Sequence, residues 1–208
     1  MPSSISEKHR PGGQDQSTVK RRAKARHPGC SMPFIYEVKK SATRARRLEW
    51  EHVVPAENFG RSFVEWREGH PACVDKHGKP FKGRNCARKV SEVFRLMESD
   101  LYNLQPAIGE VNGLRGHARM AMIAGEKREF GACDVEIADG RIEPRPDIRG
   151  DVARTYLYMD WAYGRGLVSE SSHKLLEAWD KEDPVDAWEQ ERASRIERIQ
   201  RNTNPFIK

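Results

Sequence analysis

Apolar and polar positions alternate over Leu48-Glu49-Trp50-Glu51-His52-Val53-Val54, and Pro55 stops the run, which predicts a strand ending in a turn. Upstream, Phe34-Ile35-Tyr36-Glu37-Val38 has strand composition. Residues 66–86 are rich in Gly and Pro and read as a loop, which Cys73 and Cys86 would staple if oxidised. Over 87–101 the period changes, and Val90, Val93, Phe94, Met97 and Leu101 fall on one face of a helix. Leu104-Gln105-Pro106-Ala107-Ile108 reads as a short strand or extended connection, with Gly109 and the stretch around Asn112 opening another structured segment. Alternation returns from Cys133 to Ile142, where Asp139-Gly140 is a hairpin-type turn. The C-terminal third is helical. A first helix contains Ala153, Tyr156, Leu157 and Met159, is capped by Asp147 or Asp151 and closes near Gly164 or Gly166. Ser169 caps a second that runs through Trp179, and Pro184-Val185 opens a third through Trp188 and Ile196 to about Gln200. The composite is α+β, a small mixed β region surrounded by helices.

Length and charge narrow this picture. The 208 residues suffice for one domain with a sizeable core. Residues 1–29 are polar and carry Lys20, Arg21, Arg22, Lys24 and Arg26, so they read as a flexible basic arm or a solvated tail, and 30–208 as a single domain. The 37 Lys and Arg exceed the 31 Asp and Glu, for a net charge of +6, which favours polyanions through counterion release. No stretch approaches the roughly 18 apolar residues that span a bilayer, and the N-terminus lacks the apolar core of a secretory signal. Nothing in the pattern requires more than a monomer. Cys30, Cys73, Cys86 and Cys133 include no pair at zinc-finger spacing, which leaves two disulfides or four buried thiols.

Several residues carry candidate chemistry. Glu51 offers a carboxylate for a hard divalent ion, and His52 an imidazole for proton abstraction near neutral pH. Both reach one site only if the strand ends or twists there, because neighbours on a strand face opposite ways. Asn112, in Gly109-Glu110-Val111-Asn112-Gly113, offers a neutral oxygen ligand or simply a turn or helix cap. Arg84, in Lys82-Gly83-Arg84-Asn85-Cys86, has the geometry to grip phosphate. Glu98 and Asp100 are further carboxylates or the solvent face of a helix. Of the tryptophans at 50, 66, 161, 179 and 188, spacing assigns the last three to the core and leaves the others free to stack bases. Phosphate-loop, Gly-x-Ser-x-Gly and His-Glu-x-x-His motifs are absent.

Taken together, the chain resembles the bacterial endonuclease I family of periplasmic and secreted nucleases, in the His-Me finger superfamily. The resemblance rests on Glu49-Trp50-Glu51-His52-Val53-Val54-Pro55-Ala56, Gly83-Arg84-Asn85-Cys86, Met97-Glu98-Ser99-Asp100-Leu101-Tyr102-Asn103-Leu104 and Pro106-Ala107-Ile108-Gly109-Glu110-Val111-Asn112-Gly113. It continues through Arg149-Gly150-Asp151-Val152-Ala153-Arg154-Thr155-Tyr156-Leu157-Tyr158-Met159 to Arg201-Asn202-Thr203-Asn204-Pro205-Phe206. It implies a ββα-metal core around one divalent ion, usually Mg2+ with Mn2+ or Ca2+ as alternatives. Glu51 and Asn112 become metal ligands, His52 the general base, Arg84 the phosphate clamp and Glu98 a supporting residue. The implied activity is endonucleolytic hydrolysis of double- and single-stranded DNA, and of RNA, to 5′-phosphate and 3′-hydroxyl ends. Family members often carry more cysteines than these four, for which the resemblance suggests Cys73–Cys86 and Cys30–Cys133 pairs. It also implies a periplasmic or secreted location, against which the missing signal keeps a cytosolic nuclease with reduced cysteines open. A catalytically silent DNA-binding protein on the same scaffold and a small-molecule phosphodiesterase are the remaining alternatives.

Overall fold

A computed structural model of the chain describes residues 38–125 and 127–208. The basic arm, nearly all of the expected strand at 34–38 and the Cys30 end of the expected Cys30–Cys133 pair lie outside the described residues.

The alternating run forms β1 (Leu48–His52) after a short helix α1 (Ala42–Ala45). The strand stops two residues earlier than its apolar pattern. Val53 and Val54 leave the ladder to enter the core, at 1% and 0% exposure. Their backbone is satisfied by Asn103: Val53 N donates to its carbonyl (2.9 Å), Val54 N to its Oδ1 (2.7 Å), and its Nδ2 donates to Val54 O (3.1 Å). Helices α2 (Ala56–Gly60) and α3 (Val64–Arg67) follow Pro55. A long loop then leads to α4 (Arg84–Val90) and is closed onto it by the Cys73–Cys86 disulfide. Among the described residues no cysteine is free.

The single helix expected over 87–101 is two. Ser91 is extended (ψ 118°) and its hydroxyl accepts from Phe94 N, so it ends α4 and caps α5 (Glu92–Ser99). Phe94 and Met97 are buried as expected, whereas Val93 is exposed and Leu101 lies in a 3-10 turn. Strand β2 (Leu104–Ile108) pairs antiparallel with β1, His52 opposite Leu104 and Leu48 opposite Ile108. It runs directly into α6 (Gly109–Arg115). A second sheet is made of β3 (Arg119–Met120), β4 (Glu136–Ala138) and β5 (Arg141–Glu143) in the order β3-β5-β4. The β4–β5 turn uses Asp139 and Gly140 at φ 50° and 68°, the left-handed pair a two-residue hairpin requires.

Helix α7 (Arg149–Tyr163) is buried continuously from Gly150 to Met159, so it is the central element and not an amphipathic one. Neither Asp147 nor Asp151 caps it; Ile148 stands at that position and Asp151 lies in the first turn, while Gly164 closes the helix in the left-handed conformation as expected. Helix α8 (Glu170–Glu182) starts at the expected Ser169 cap, and α9 (Ala187–Gln200) starts two residues after Val185, where Asp186 accepts from Glu189 N. Trp179 is core, but Trp161 is 61% exposed because it falls on the outer face of α7's last turn.

The three terminal helices are joined by one buried cation. Arg154, 1% exposed, donates to Glu189 Oε1 (2.9 Å), Asp180 Oδ1 (2.8 Å) and the Asp183 carbonyl (2.9 Å). Burial opposes that charge, and the surrounding carboxylates more than offset it, holding the guanidinium pKa above its ordinary value. Removing one partner strands the others, so Arg154→Met should lower stability by about 3–5 kcal/mol in urea titration. A loss below about 1 kcal/mol, as for exposed pairs, would contradict this account.

Candidate active site

Strand alternation sorts four residues of β1 onto two faces: Glu49 and Glu51 on one, Trp50 and His52 on the other. The first face meets α6, the second meets the C-terminal end of α5. Because β1 ends at His52, the side chains on either side of that end converge. Glu51, His52, Arg84 and Asn112 all line one open cavity of about 400 Å3, together with Trp50 and Trp66.

His52 Nε2 lies 2.8 Å from the backbone carbonyl of Glu98. A carbonyl only accepts, so Nε2 carries the proton and Nδ1 of the neutral ring is left as the basic atom. Burial is the largest influence on the ring and disfavours its charge. The Glu98 carbonyl opposes this, the Arg84 charge adds to it, and the net pKa is lowered from the ordinary value. His52 is therefore neutral near pH 7.

Glu51 is 3% exposed and ion-paired with Arg115, whose side chain is fully buried. Arg115 also donates to the carbonyls of His52 (2.9 Å) and Val53 (2.5 Å), fixing the exit of β1 as well as the carboxylate. Desolvation works against the Arg115 charge, and Glu51 together with Tyr156 more than restores it.

Asn112, one turn before Arg115 on α6, donates from Nδ2 to Glu49 Oε2 (3.1 Å). Glu49 also accepts from Arg44 Nε (3.0 Å) and from Arg47 Nε (2.8 Å) and Nη2 (2.6 Å). The Arg44 bond, helped by Arg47 and opposed by burial, holds the Glu49 carboxyl below its ordinary pKa. An ionised carboxylate only accepts, so the Asn112 amide nitrogen faces Glu49 and its carbonyl oxygen faces away. The approach needs glycine: a Cβ on Gly109 would lie 2.6 Å from Glu49 Oε1 and 2.9 Å from the Arg44 carbonyl.

Arg84 opens α4 after Gly83, which adopts φ 77°. Its Nε donates to Glu98, which also accepts from Arg88 Nε (2.6 Å) and Nη2 (2.7 Å). Burial pushes the Glu98 carboxyl up, and the two arginines outweigh it, leaving the pKa lowered. Glu98 thus touches the site twice, its carbonyl on His52 and its carboxylate on Arg84.

The sequence brought out Glu51, His52, Arg84, Asn112 and Glu98, and the fold gathers all five. It missed Arg115, Glu49 as the partner of Asn112, and Arg88. Asp100 lies apart from the cavity, buried under the hydroxyls of Tyr158 and Tyr163 (2.8 Å each). Among the described residues no trio of His, Cys, Asp and Glu is arranged for a metal. The Glu51 carboxylate and the Asn112 carbonyl are hard oxygen donors on one cavity, a set that fits an ion such as Mg2+, which retains most of its water.

The sequence profile of the Endonuclease I family matches residues 14–208. A periplasmic deoxyribonuclease of Aeromonas hydrophila is 44% identical over 175 residues, covering 83% of this chain and 68% of that protein. Endonuclease-1 of Buchnera aphidicola subsp. Acyrthosiphon pisum is 38% identical, covering 83% of this chain and 64% of its own. An extracellular ribonuclease of Bacillus subtilis is 35% identical over 127 residues, covering 52% of this chain and 43% of its own. The chain belongs to the Endonuclease I family and is an endonuclease.

Proposed function

We propose that the chain is a divalent-metal-dependent endonuclease with little sequence preference, built on a ββα-metal (His-Me finger) core formed by β1, β2 and α6. The observation that carries the reading is the convergence of Glu51, His52, Arg84 and Asn112 on one cavity, with His52 neutral and its Nε2 occupied. Its substrates are double- and single-stranded DNA, and RNA; relatives named as deoxyribonucleases and ribonucleases support both. Periplasmic or extracellular relatives and the Cys73–Cys86 bond support a periplasmic or secreted location. No described helix is long and apolar enough to cross a membrane.

In this reading His52 Nδ1 takes a proton from water, and the water oxygen attacks phosphorus in line with the departing O3′. The bond to O3′ breaks and that oxygen takes a proton from solvent, leaving 5′-phosphate and 3′-hydroxyl ends. Arg84 places fixed positive charge beside the phosphoryl oxygens. Glu51 and Asn112 would hold the metal, Mg2+ or alternatively Mn2+ or Ca2+, which when bound supplies positive charge to the phosphoryl and leaving oxygens. Glu49 and Arg115 orient those two side chains from behind. Contacts made through phosphates account for low sequence preference.

With supercoiled plasmid and Mg2+, the wild-type chain should nick and then degrade, and chelator should stop it. His52→Ala should be slower by about 10²–10⁴-fold, the usual worth of a general base. Intact plasmid with wild type across several divalent ions and pH values would overturn the proposal. Glu51→Ala and Asn112→Ala should lose activity in part through metal affinity, so their rates should rise with Mg2+ well beyond the wild-type saturation point. Flat metal dependence in both variants would remove them as ligands. Because the His52 pKa is lowered, the acid limb of the kcat/KM profile should lie below the ordinary histidine value of about 6.5. Arg84→Met removes a charge that lowers that pKa, so the limb should move to higher pH; a limb that stays put or moves down would contradict the assignment.

A further inference from the structure

Trp50 is 70% exposed, yet it stands next to Glu51 in β1 and on the same face of the strand as His52. Beside the catalytic cavity, its flat apolar face is open to a ligand. It lines two hollows. One is the catalytic cavity; the other, about 560 Å3, is lined by Trp50, His52, Arg84, Arg88, Leu101 and Leu104 among others. Trp50, His52 and Arg84 line both, so the second hollow adjoins the first.

The lining is divided by chemistry. Leu101, Leu104 and the indole give the second hollow apolar lining, and the half-exposed guanidinium groups of Arg84 and Arg88 give it positive charge. Glu98 balances one of those two charges, and the cluster keeps a net positive charge beside an apolar surface. A polynucleotide presents that same alternation, an anionic phosphate next to a sugar and base with flat apolar faces. An apolar peptide would leave the arginines unused, and inorganic phosphate would leave the two leucines and the indole unused.

We propose that this second hollow is a nucleoside subsite, taking the sugar and base adjacent to the scissile phosphate, with the Trp50 indole stacked on the base. It rests on the endonuclease reading and adds where the strand lies on one side of the cut. Stacking needs an exposed base face, so the subsite favours a strand whose bases are unstacked over an intact duplex.

The test uses the full chain with His52→Ala to suppress cleavage, and fluorescence anisotropy of labelled oligothymidine and of an all-abasic oligonucleotide of equal length. Trp50→Ala should weaken oligothymidine binding about tenfold, within the range of a base–aromatic contact, and Trp50→Phe should recover most of it. The abasic strand should bind with the same affinity whether or not the chain carries Trp50→Ala. In the otherwise native enzyme, Trp50→Ala should raise KM more for single strands than for duplex. Because the side chain is exposed, the melting temperature should hold, which separates lost stacking from lost folding. Equal oligothymidine affinities with and without Trp50→Ala, in an enzyme that still cuts plasmid, would overturn the subsite and leave the nuclease reading standing. A wild-type chain that neither binds nor cuts nucleic acid would overturn both.

Discussion

The buried guanidinium of Arg115 is the constraint on which the site depends. It stands at the end of α6, out of contact with water, and its bonds go to the Glu51 carboxylate and to the carbonyls of His52 and Val53. A charge so placed is tolerable only when its partners are fixed, because losing one leaves the other buried and uncompensated. The pair therefore ties the exit of β1 to α6. With that exit fixed, Val53 and Val54 enter the core, Asn103 closes their backbone hydrogen bonds, and His52 faces the Glu98 carbonyl.

The rest of the site repeats this economy, in which each group facing the cavity is held from behind by opposite charge or by backbone. Glu49, clamped by Arg44 and Arg47, turns the Asn112 amide so that its oxygen faces away from the strand. Glu98 holds Arg84 and Arg88 by its side chain and His52 by its carbonyl. The disulfide from Cys73 to Cys86 anchors the first turn of α4, from which Arg84 projects. On the proposed reading, this preorganisation lets the cavity stabilise a phosphoryl transition state without rearranging first.

The residues facing the cavity were candidates by chemistry, but each also read as an ordinary surface, turn or loop residue, and it was the resemblance to the endonuclease I family that gave them their roles. The strand, the hairpin and the three terminal helices were legible in outline, but of the expected helix caps only Ser169 and the closing Gly164 stand where the sequence put them. Arg115 was not legible, because a lone arginine at the end of a helix pattern reads as a solvated residue, and only tertiary packing buries it. The break at Ser91 was hidden for a related reason: the apolar period runs through it, while the hydroxyl cap depends on local geometry. Trp161 was assigned to the core by spacing, yet α7 turns that position outward once its other faces are covered.

The central claim is that the His52 ring moves the proton in phosphodiester cleavage. Chemical rescue addresses it directly: His52→Ala is assayed on an oligonucleotide under single-turnover conditions as imidazole is added. The account predicts a rate that rises with imidazole and tracks its neutral fraction across pH, while Arg84→Ala gains nothing. Cleavage by His52→Ala at the wild-type rate, with no imidazole present, would contradict it.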